Sequence, residues 1–472
     1  MRSRSSGFKK KPWFTGEREM AISLLNRTVS DNARDLHQEL LDKVKQHRAR
    51  VVVIGAGYVG LTLAVEAARV GFPVSCYEID PERVKAFAQG KSELPNGSAE
   101  ELLALQQSGR LTCSSQAEML QQADVIVICV ATPLNVAREP DTSQIEAASR
   151  CIRRYLRAGT LVILESTSYP GTTEELVRPI LEGSGLRAEL DFWLAFSPER
   201  IDPGNETYGL RNTPKVVAGL GPDSTSLTEA FYAQMVDQVI KVSSPAAAEM
   251  VKLYENIFRN INIAFANEMA LLCDRMGLDI WEIIDAAASK PYGFMPFYPG
   301  PGPGGHCIPI DPHYLAWKAH QYNFHCKFIE LASTINDEMP RHVCTKITEA
   351  LNQLGKPVKE SRILILGAAY KPDIGDVRES PIFKVLPLLV KKGAQVNYHD
   401  PYVPVLEMSN PGRHEPVRLT TEVLQQADCV VILTDHACYP YHLIAEHASL
   451  IVDCKNALGK RGIIGRGNVV CL

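Results

Sequence analysis

Residues 51–80, "VVVIGAGYVGLTLAVEAARVGFPVSCYEID", decide how the chain is to be read. A short β-branched run ends at Gly55, Gly57 and Gly60 follow, and helically spaced apolar residues lead to a second β-rich run ending at Glu78. Strand, glycine turn, helix and strand make one βαβ unit. Gly55 permits the tight turn, and Gly57 lets the backbone approach a pyrophosphate. Gly60 lets helix and strand pack closely, with the helix N-terminus aimed at the phosphates. Glu78 stands where an acid hydrogen-bonds a ribose 2′-hydroxyl, and so favours NAD over NADP, because a carboxylate repels a 2′-phosphate. Arg83 is near enough to weigh the other way. Tyr58 and Val59, inside the turn, and Val130 and Thr132, ending "VIVICVATP", complete the expected cofactor site. A glycine-rich sheet turn with no ligand is the alternative.

The same alternation continues outward. "DVIVICVAT", "LVILEST" and "WLAFS" read as further strands, and after 355 so do "RILILGAAY", "QVNYHDP", "ADCVVILTD" and "SLIVDCKN". Between them, 245–289 reads as a long helix, a turn near Gly277 and a shorter helix, and 313–354 as another helical stretch. The expected class is α/β, with two Rossmann-like parallel-sheet domains joined by a central helical domain. Its bounds are a partly helical or disordered extension at 1–48, an NAD-binding domain at 49–240, a helical domain carrying the cysteine loop at 241–355, and a second Rossmann-like unit at 356–472.

Composition limits the partners. The 472 residues are 45% hydrophobic and 22% charged with a net charge of −4, which gives no reason to expect nucleic acid or an anionic membrane. The longest apolar runs fall well short of the ~20 residues of a membrane span. The twelve cysteines are scattered without paired or metal-ligand spacing, which suits a reducing, cytoplasmic setting and no metal. "MRSRSSGFKKKPW", residues 1–13, is basic without a secretory apolar core and reads as a solvated tail, with a transit peptide as the lesser reading.

The chemistry centres on "GPGPGGHCIPIDP", residues 300–312. A thiolate attacks an aldehyde to give a thiohemiacetal, which loses hydride to become a thioester, and glycine leaves open backbone around the sulfur of Cys307. Lys252 and Asn256 of "KLYEN" lie four residues apart on one helix face and can converge on an oxyanion. Asp311 is a candidate for orienting Lys252 or accepting a proton, and His306 for lowering the thiol pKa. Glu199 of "FSPER" is a candidate for activating water. Each has a plainer reading: a surface lysine, a turn aspartate, a loop acid.

Together "GAGYVG", "ESTSYPGTT", "FSPERIDPGN", "EMVKLYENIFRNINIAFANE", "GPGPGGHCIPIDP" and "YKPDIGDVRESP" resemble the UDP-glucose/UDP-N-acetylmannosamine dehydrogenase family over residues 49–472. "FYPGPGPGGHCIPIDP" resembles the branch that oxidises UDP-N-acetylhexosamines, with UDP-N-acetylglucosamine 6-dehydrogenases nearest. The resemblance implies four-electron oxidation of a sugar C6 alcohol by two NAD through an enzyme thioester. It implies Cys307 as nucleophile, Lys252 and Asn256 at the oxyanion, and Asp311 with Lys252 in water activation and proton transfer. Glu199 would be the acid/base, with Thr167 beside it holding water. Arg200, Tyr298, Gly304, Lys371 and Arg378 would join Glu199, Lys252 and Asn256 around the substrate, and the long helix would form a homodimer or higher homo-oligomer. One departure is that "SKPYGFMPFYPG" has Lys290 where UDP-glucose dehydrogenases place an arginine. The competing readings are UDP-N-acetylmannosamine or UDP-glucose as substrate, a two-electron β-hydroxyacid dehydrogenase, and a non-catalytic nucleotide-sugar-binding regulator.

Overall fold

The computed structural model describes residues 31–91, 99–202, 205, 207–408, 412–463 and 467–472. The basic stretch 1–13 lies outside them. Residues 31–45 form the helix that the apolar spacing announces. Its Leu40 and Val44 are buried in the core beneath the first sheet.

That sheet comprises β1 (Val51–Ile54), β2 (Val74–Tyr77), β3 (Leu111–Ser114), β4 (Val125–Ile128), β5 (Leu161–Leu164), β6 (Trp193–Phe196), β7 (Lys215–Gly219) and β8 (Val239–Lys241). Their order is β3-β2-β1-β4-β5-β6-β7-β8, parallel except that β7 runs antiparallel to β6. Val51 and Val53 of β1 enter the core on one face, and Val52 and Ile54 that on the other. A sheet covered on both faces therefore reads as a continuous apolar run rather than an alternation. Strand order reverses between β1 and β4, which opens a crevice at their C-terminal ends. The hydrophobic pattern does not mark β3, β7 or β8. β3 has only Leu111 buried, and β7 opens on a charged residue.

The central helix spans Pro245–Met276. Ser244 caps it by accepting from the Ala247 N–H, Pro245 fills its first turn, and Gly277, at φ +69°, ends it in the left-handed region. Ile280–Ala288 follows. The single helical stretch expected over 313–354 is two helices, Asp311–His320 and Lys327–Gln353, parted by a turn at 321–326.

The second sheet is built from β9 (Arg362–Leu366) and β10 (Gln395–His399), then, after a small ribbon of β11 (Leu406–Glu407) and β12 (Arg413–His414), β13 (Cys429–Ile432), β14 (Ile451–Asp453) and β15 (Val469–Cys471). It is parallel throughout, in the order β10-β9-β13-β14-β15. The architecture is α/β, with two parallel-rich sheets and a helical region between. All twelve cysteines are free thiols, and no described helix is long and apolar enough to cross a membrane.

Candidate active site

At the crevice of the first sheet the three glycines do three different things. Gly55 lies at φ +94°, and a Cβ there would come 2.6 Å from the Cys129 carbonyl oxygen. A Cβ on Gly60 would overlap the Gly55 carbonyl oxygen, so helix and strand touch backbone to backbone. Gly57 is ordinary in conformation, and the one atom a Cβ would meet is Arg83 Nη1 at 3.8 Å. Gly57 also heads the helix Tyr58–Arg69, which carries no side-chain cap and no acid in its first turn. Free first-turn N–H groups beside an open glycine fit the pyrophosphate of a dinucleotide. Glu78 is buried, accepting from the Ala56 N–H at 2.9 Å and the Asp80 N–H at 3.0 Å, with Arg83 Nη1 3.8 Å away. Tyr58 and Val59 are half-buried in the same turn. Val130, half-buried, and Thr132, buried, line the end of β4, where the Val130 carbonyl accepts from Ser166 Oγ at 2.8 Å.

Across from this turn the structure gathers the residues expected around the thiol. Lys252, on the central helix, is 8% exposed rather than a surface lysine, and Asn256 is buried one turn on. Asn256 Nδ2 donates to Asp311 Oδ2, and the Asp311 N–H closes back on the Cys307 carbonyl at 2.9 Å. Asp311 is 2% exposed. Burial lifts its carboxyl to about 6, against the pull of Lys252 and the Asn256 hydrogen bond. Cys307 is half-buried, not sealed in hydrocarbon.

The thiol environment corrects two expectations. Burial, and then the Asp311 charge, push the Cys307 thiol up to about 11, which Lys252, Arg378 and Arg259 only partly offset. The resting sulfur is therefore a thiol. His306 supplies no cation, because burial and then Arg378 hold its own pKa below the usual histidine range. The glycines, too, are less open than expected. A Cβ on Gly304 would lie 2.5 Å from Tyr370 Cβ, one on Gly305 2.9 Å from Tyr370 Cε2, and one on Gly302 3.2 Å from the Asn336 carbonyl. They let the loop press against the second α/β unit, where the Gly305 N–H donates to the Arg378 carbonyl at 2.9 Å.

What holds this loop was not legible in the sequence. Gly300 N–H donates to Asn267 Oδ1 at 3.0 Å, Asn267 Nδ2 to Asn336 Oδ1 at 2.9 Å, and Asn336 Nδ2 to Asn260 Oδ1 at 2.7 Å. Asn260 in turn donates to the Ile308 carbonyl at 3.3 Å. A buried ladder of three asparagines thus pins both ends of the loop, and a satisfied buried network of this kind fixes one arrangement. Past the loop, Tyr314 Oη donates to the Thr132 carbonyl at 3.0 Å, and Lys318 Nζ reaches Glu175 at 2.6 Å. The helix that starts at Asp311 is therefore tied to the cofactor side of the crevice.

The remaining expected residues are distributed around this centre. Glu199 is buried after β6, accepting from the Arg200 N–H at 2.7 Å, with Lys215 Nζ 3.4 Å from its other oxygen. Thr167 is half-buried two residues after Glu165, whose carboxylate meets the same lysine. The Arg200 guanidinium is engaged by Glu255 at 2.6 Å and the Pro214 carbonyl at 2.6 Å, which ties the loop to the central helix. Tyr298 donates to Asp285 at 2.7 Å and stacks on Trp281. Lys371 Nζ is 2.9 Å from Asp202, and Arg378 pairs with Asp376. Lys215, Glu165, Tyr370 and the asparagine ladder escaped the sequence reading. The one available signal was the mid-helix asparagines, which have poor helix propensity and need a partner.

Three domain models of the UDP-glucose/GDP-mannose dehydrogenase family match in succession: the NAD binding domain over 49–236, the central domain over 246–338 and the UDP binding domain over 364–460. A UDP-N-acetyl-D-mannosamine dehydrogenase of Pyrococcus horikoshii is 36% identical over 391 residues, covering 82% of this chain and 89% of that protein. A UDP-N-acetyl-D-glucosamine 6-dehydrogenase of Pseudomonas aeruginosa is 36% identical over 357 residues, covering 75% and 83%. Among solved structures, a UDP-D-ManNAc dehydrogenase from P. horikoshii superposes with a TM-score of 0.82 at 32% identity, covering 89% of this chain and 98% of that one. The chain belongs to the UDP-glucose/GDP-mannose dehydrogenase family and is an NAD-dependent nucleotide-sugar dehydrogenase.

Proposed function

We propose that this enzyme oxidises the C6 hydroxyl of a UDP-N-acetylhexosamine, UDP-N-acetylglucosamine first among them, to the carboxylate through a thioester on Cys307. The observation that carries the reading is the convergence of Cys307, Asp311, Asn256 and the buried Lys252 at one loop, whose following helix is tied to the Thr132 carbonyl by Tyr314. Two relatives acting on N-acetylhexosamines, each 36% identical, and Lys290 in place of an arginine favour an N-acetylated sugar over UDP-glucose.

The turn of Gly55, Gly57 and Gly60 and the Glu78 carboxylate would hold NAD, which would supply the hydride acceptor, one NAD for each of the two oxidations. The chain's own groups do the rest. In the first oxidation the C6 hydroxyl gives its proton to solvent by way of the ionised Asp311, while Lys252 and Asn256 donate to the oxygen and stabilise negative charge on it. Lys252 is buried beside the Asp311 carboxyl and the Cys307 thiol, and its charge acts on both. Asp311, with a carboxyl near 6, is ionised at neutral pH and accepts a proton from the thiol as the sulfur adds to the aldehyde carbon. In hydrolysis, water adds to the acyl carbon while Glu199 takes one of its protons. The carbon–sulfur bond then breaks, and the proton passes to the departing sulfur, which restores the Cys307 thiol and frees the uronic acid. Thr167, which follows β5 as Glu199 follows the adjacent parallel β6, holds that water.

The central helix supports a homodimer. Tyr254, Phe258, Phe265, Leu272 and Met276 are exposed and lie within roughly 40° of one another at 100° per residue, opposite Lys252 and Asn256. A cytoplasmic location belongs to the same reading.

A panel of UDP-sugars with NAD, followed by absorbance and product mass, tests the function. Two NADH per UDP-N-acetylglucosamine and a product with a C6 carboxylate are expected. One NADH per sugar, or turnover confined to UDP-glucose, would overturn the reading.

A further inference from the structure

Glu199 belongs to a buried charged cluster whose other members, Lys215 and Glu165, take no part in the steps above. Lys215 is 2% exposed. Its Nζ contacts Glu165 Oε1, lies 3.4 Å from Glu199 Oε2 and sits 5.1 Å over the Tyr232 ring. Glu165 in turn accepts from Cys129 Sγ at 3.3 Å. One cation thus faces two carboxylates where water is excluded. For stability alone such a group is a poor choice, because well-packed apolar side chains commonly do as well or better.

Topology explains how the lysine gets there. In a parallel sheet the first residue of a strand lies at the N-terminal edge, far from the crevice. β7 is the reversed strand. Its pairing of Ala195 with Gly219 and Phe196 with Ala218, continued outward, sets Lys215 across from Glu199. Ser197 Oγ, donating to the Val216 carbonyl at 2.9 Å, holds the continuation. β5 runs alongside β6 with Leu164 opposite Phe196, so Glu165 arrives from the other side.

We propose that Lys215 and Glu165 are positioning residues that hold the Glu199 carboxylate and set the pH range over which the thioester is hydrolysed. This rests on the role given to Glu199 above. Among the described residues, titratable groups facing Glu199 come from five elements: Lys215 of β7, Glu165 after β5, Cys129 after β4, Tyr58 of the glycine-turn helix and Tyr232 of the helix Pro222–Tyr232. Burial pushes the two tyrosines, Cys129 and Glu165 up, which leaves the phenols and thiol neutral. Burial alone would lower Lys215, but the two carboxylates outweigh it and keep it charged. One buried cation is thus shared between two carboxylates, so a change at Lys215 or Glu165 changes the charge that Glu199 faces.

The test uses the full-length enzyme turning over UDP-N-acetylglucosamine with NAD across a range of pH, quenched with acid and read by intact mass for decay of the Cys307 adduct. Lys215→Met removes the cation from beside two carboxylates and moves the rising limb of hydrolysis to higher pH by about one unit or more. Glu165→Gln, nearly isosteric, leaves the cation to Glu199 alone and moves the limb to lower pH by a similar amount. A merely structural pair would lower the amount of folded enzyme without moving the limb in opposite directions. Where Lys215→Met fails to fold, Glu165→Gln decides by itself. Wild-type turnover with unmoved limbs overturns this inference alone. A wild type that oxidises no UDP-sugar overturns the functional reading and this inference with it.

Discussion

Gly55 and Gly367 hold the same place in two sheets, and the chain does opposite things after each. Both end the first strand of their unit, at φ +94° and +90°, with a neighbouring strand end crowding where a Cβ would go. Both turns are closed by an acid at the end of the next strand: Glu78 accepts from the Ala56 N–H, and Asp400 from the Ala368 and Ala369 N–H groups at 2.7 and 2.9 Å. In the first unit a helix starts at Tyr58 with its uncapped end facing an open glycine. In the second, the helix waits until Ile382, and His436, 0% exposed, occupies the turn. Its Nε2 lies 2.9 Å from Asp400, and its Nδ1 accepts from the Asp373 N–H at 2.9 Å. The intervening loop carries Tyr370, Lys371 and Arg378 across to the cysteine loop and to Asp202. Glycine and acid together make a turn that the fold needs. What the chain does next decides whether that turn holds a dinucleotide or becomes a wall for another ligand.

The strongest way to break this picture is at the wall itself. Cys307→Ser should lower net oxidation roughly a thousandfold or more while NAD titration is unchanged, since the glycine turn is separate from the thiol. A variant that still releases two NADH per sugar would remove the thioester from the mechanism.

Asp400→Asn sharpens the contrast between the turns. Burial would raise this carboxyl, but His436 and the backbone amides overcome that and hold it below the ordinary aspartate range. Its contribution is therefore present above the unfolded aspartate pKa, near 4, and is lost as the pH falls through the lower folded value. The substitution should cost about 2–3 kcal/mol at neutral pH by denaturant unfolding, and less at about pH 3. A loss that is the same at both pH values would mean that Asp400 acts by shape alone.

Gly57→Ala should have the smallest effect and the most selective. The backbone there is ordinary and the space open, so the melting temperature should hold while NAD affinity falls roughly tenfold, about 1.4 kcal/mol. An equal loss of stability would make Gly57 a packing glycine like Gly60.

Much of the plan could be read in one dimension. The runs at β1, β4, β5, β6, β9, β13 and β14 are apolar on both faces and stand out against helical spacing, whereas β2 and β10 are mixed and are marked by the glycine turn or strand series that precedes them. The caps of the central helix, Ser244 and Gly277, are local signals and fall at its ends. β3, with one buried residue, and β7, opening on Lys215, carry no such signal. Lys252 and Asn256 were identifiable because helix spacing alone puts them on one face. Lys215 was not, because its two partners lie on other strands and its burial depends on a reversal that no local pattern encodes.

The amino-acid order by itself determined the βαβ alternation, the glycine turn and the glycine-rich cysteine loop, because each rests on backbone conformation and spacing within a few residues. Only the tertiary structure decided that the loop glycines are contact points for Tyr370, that His436 fills the second turn, and that the thiol rests protonated. Those outcomes follow from desolvation and close packing between segments remote in sequence, and neither exists until the chain has folded.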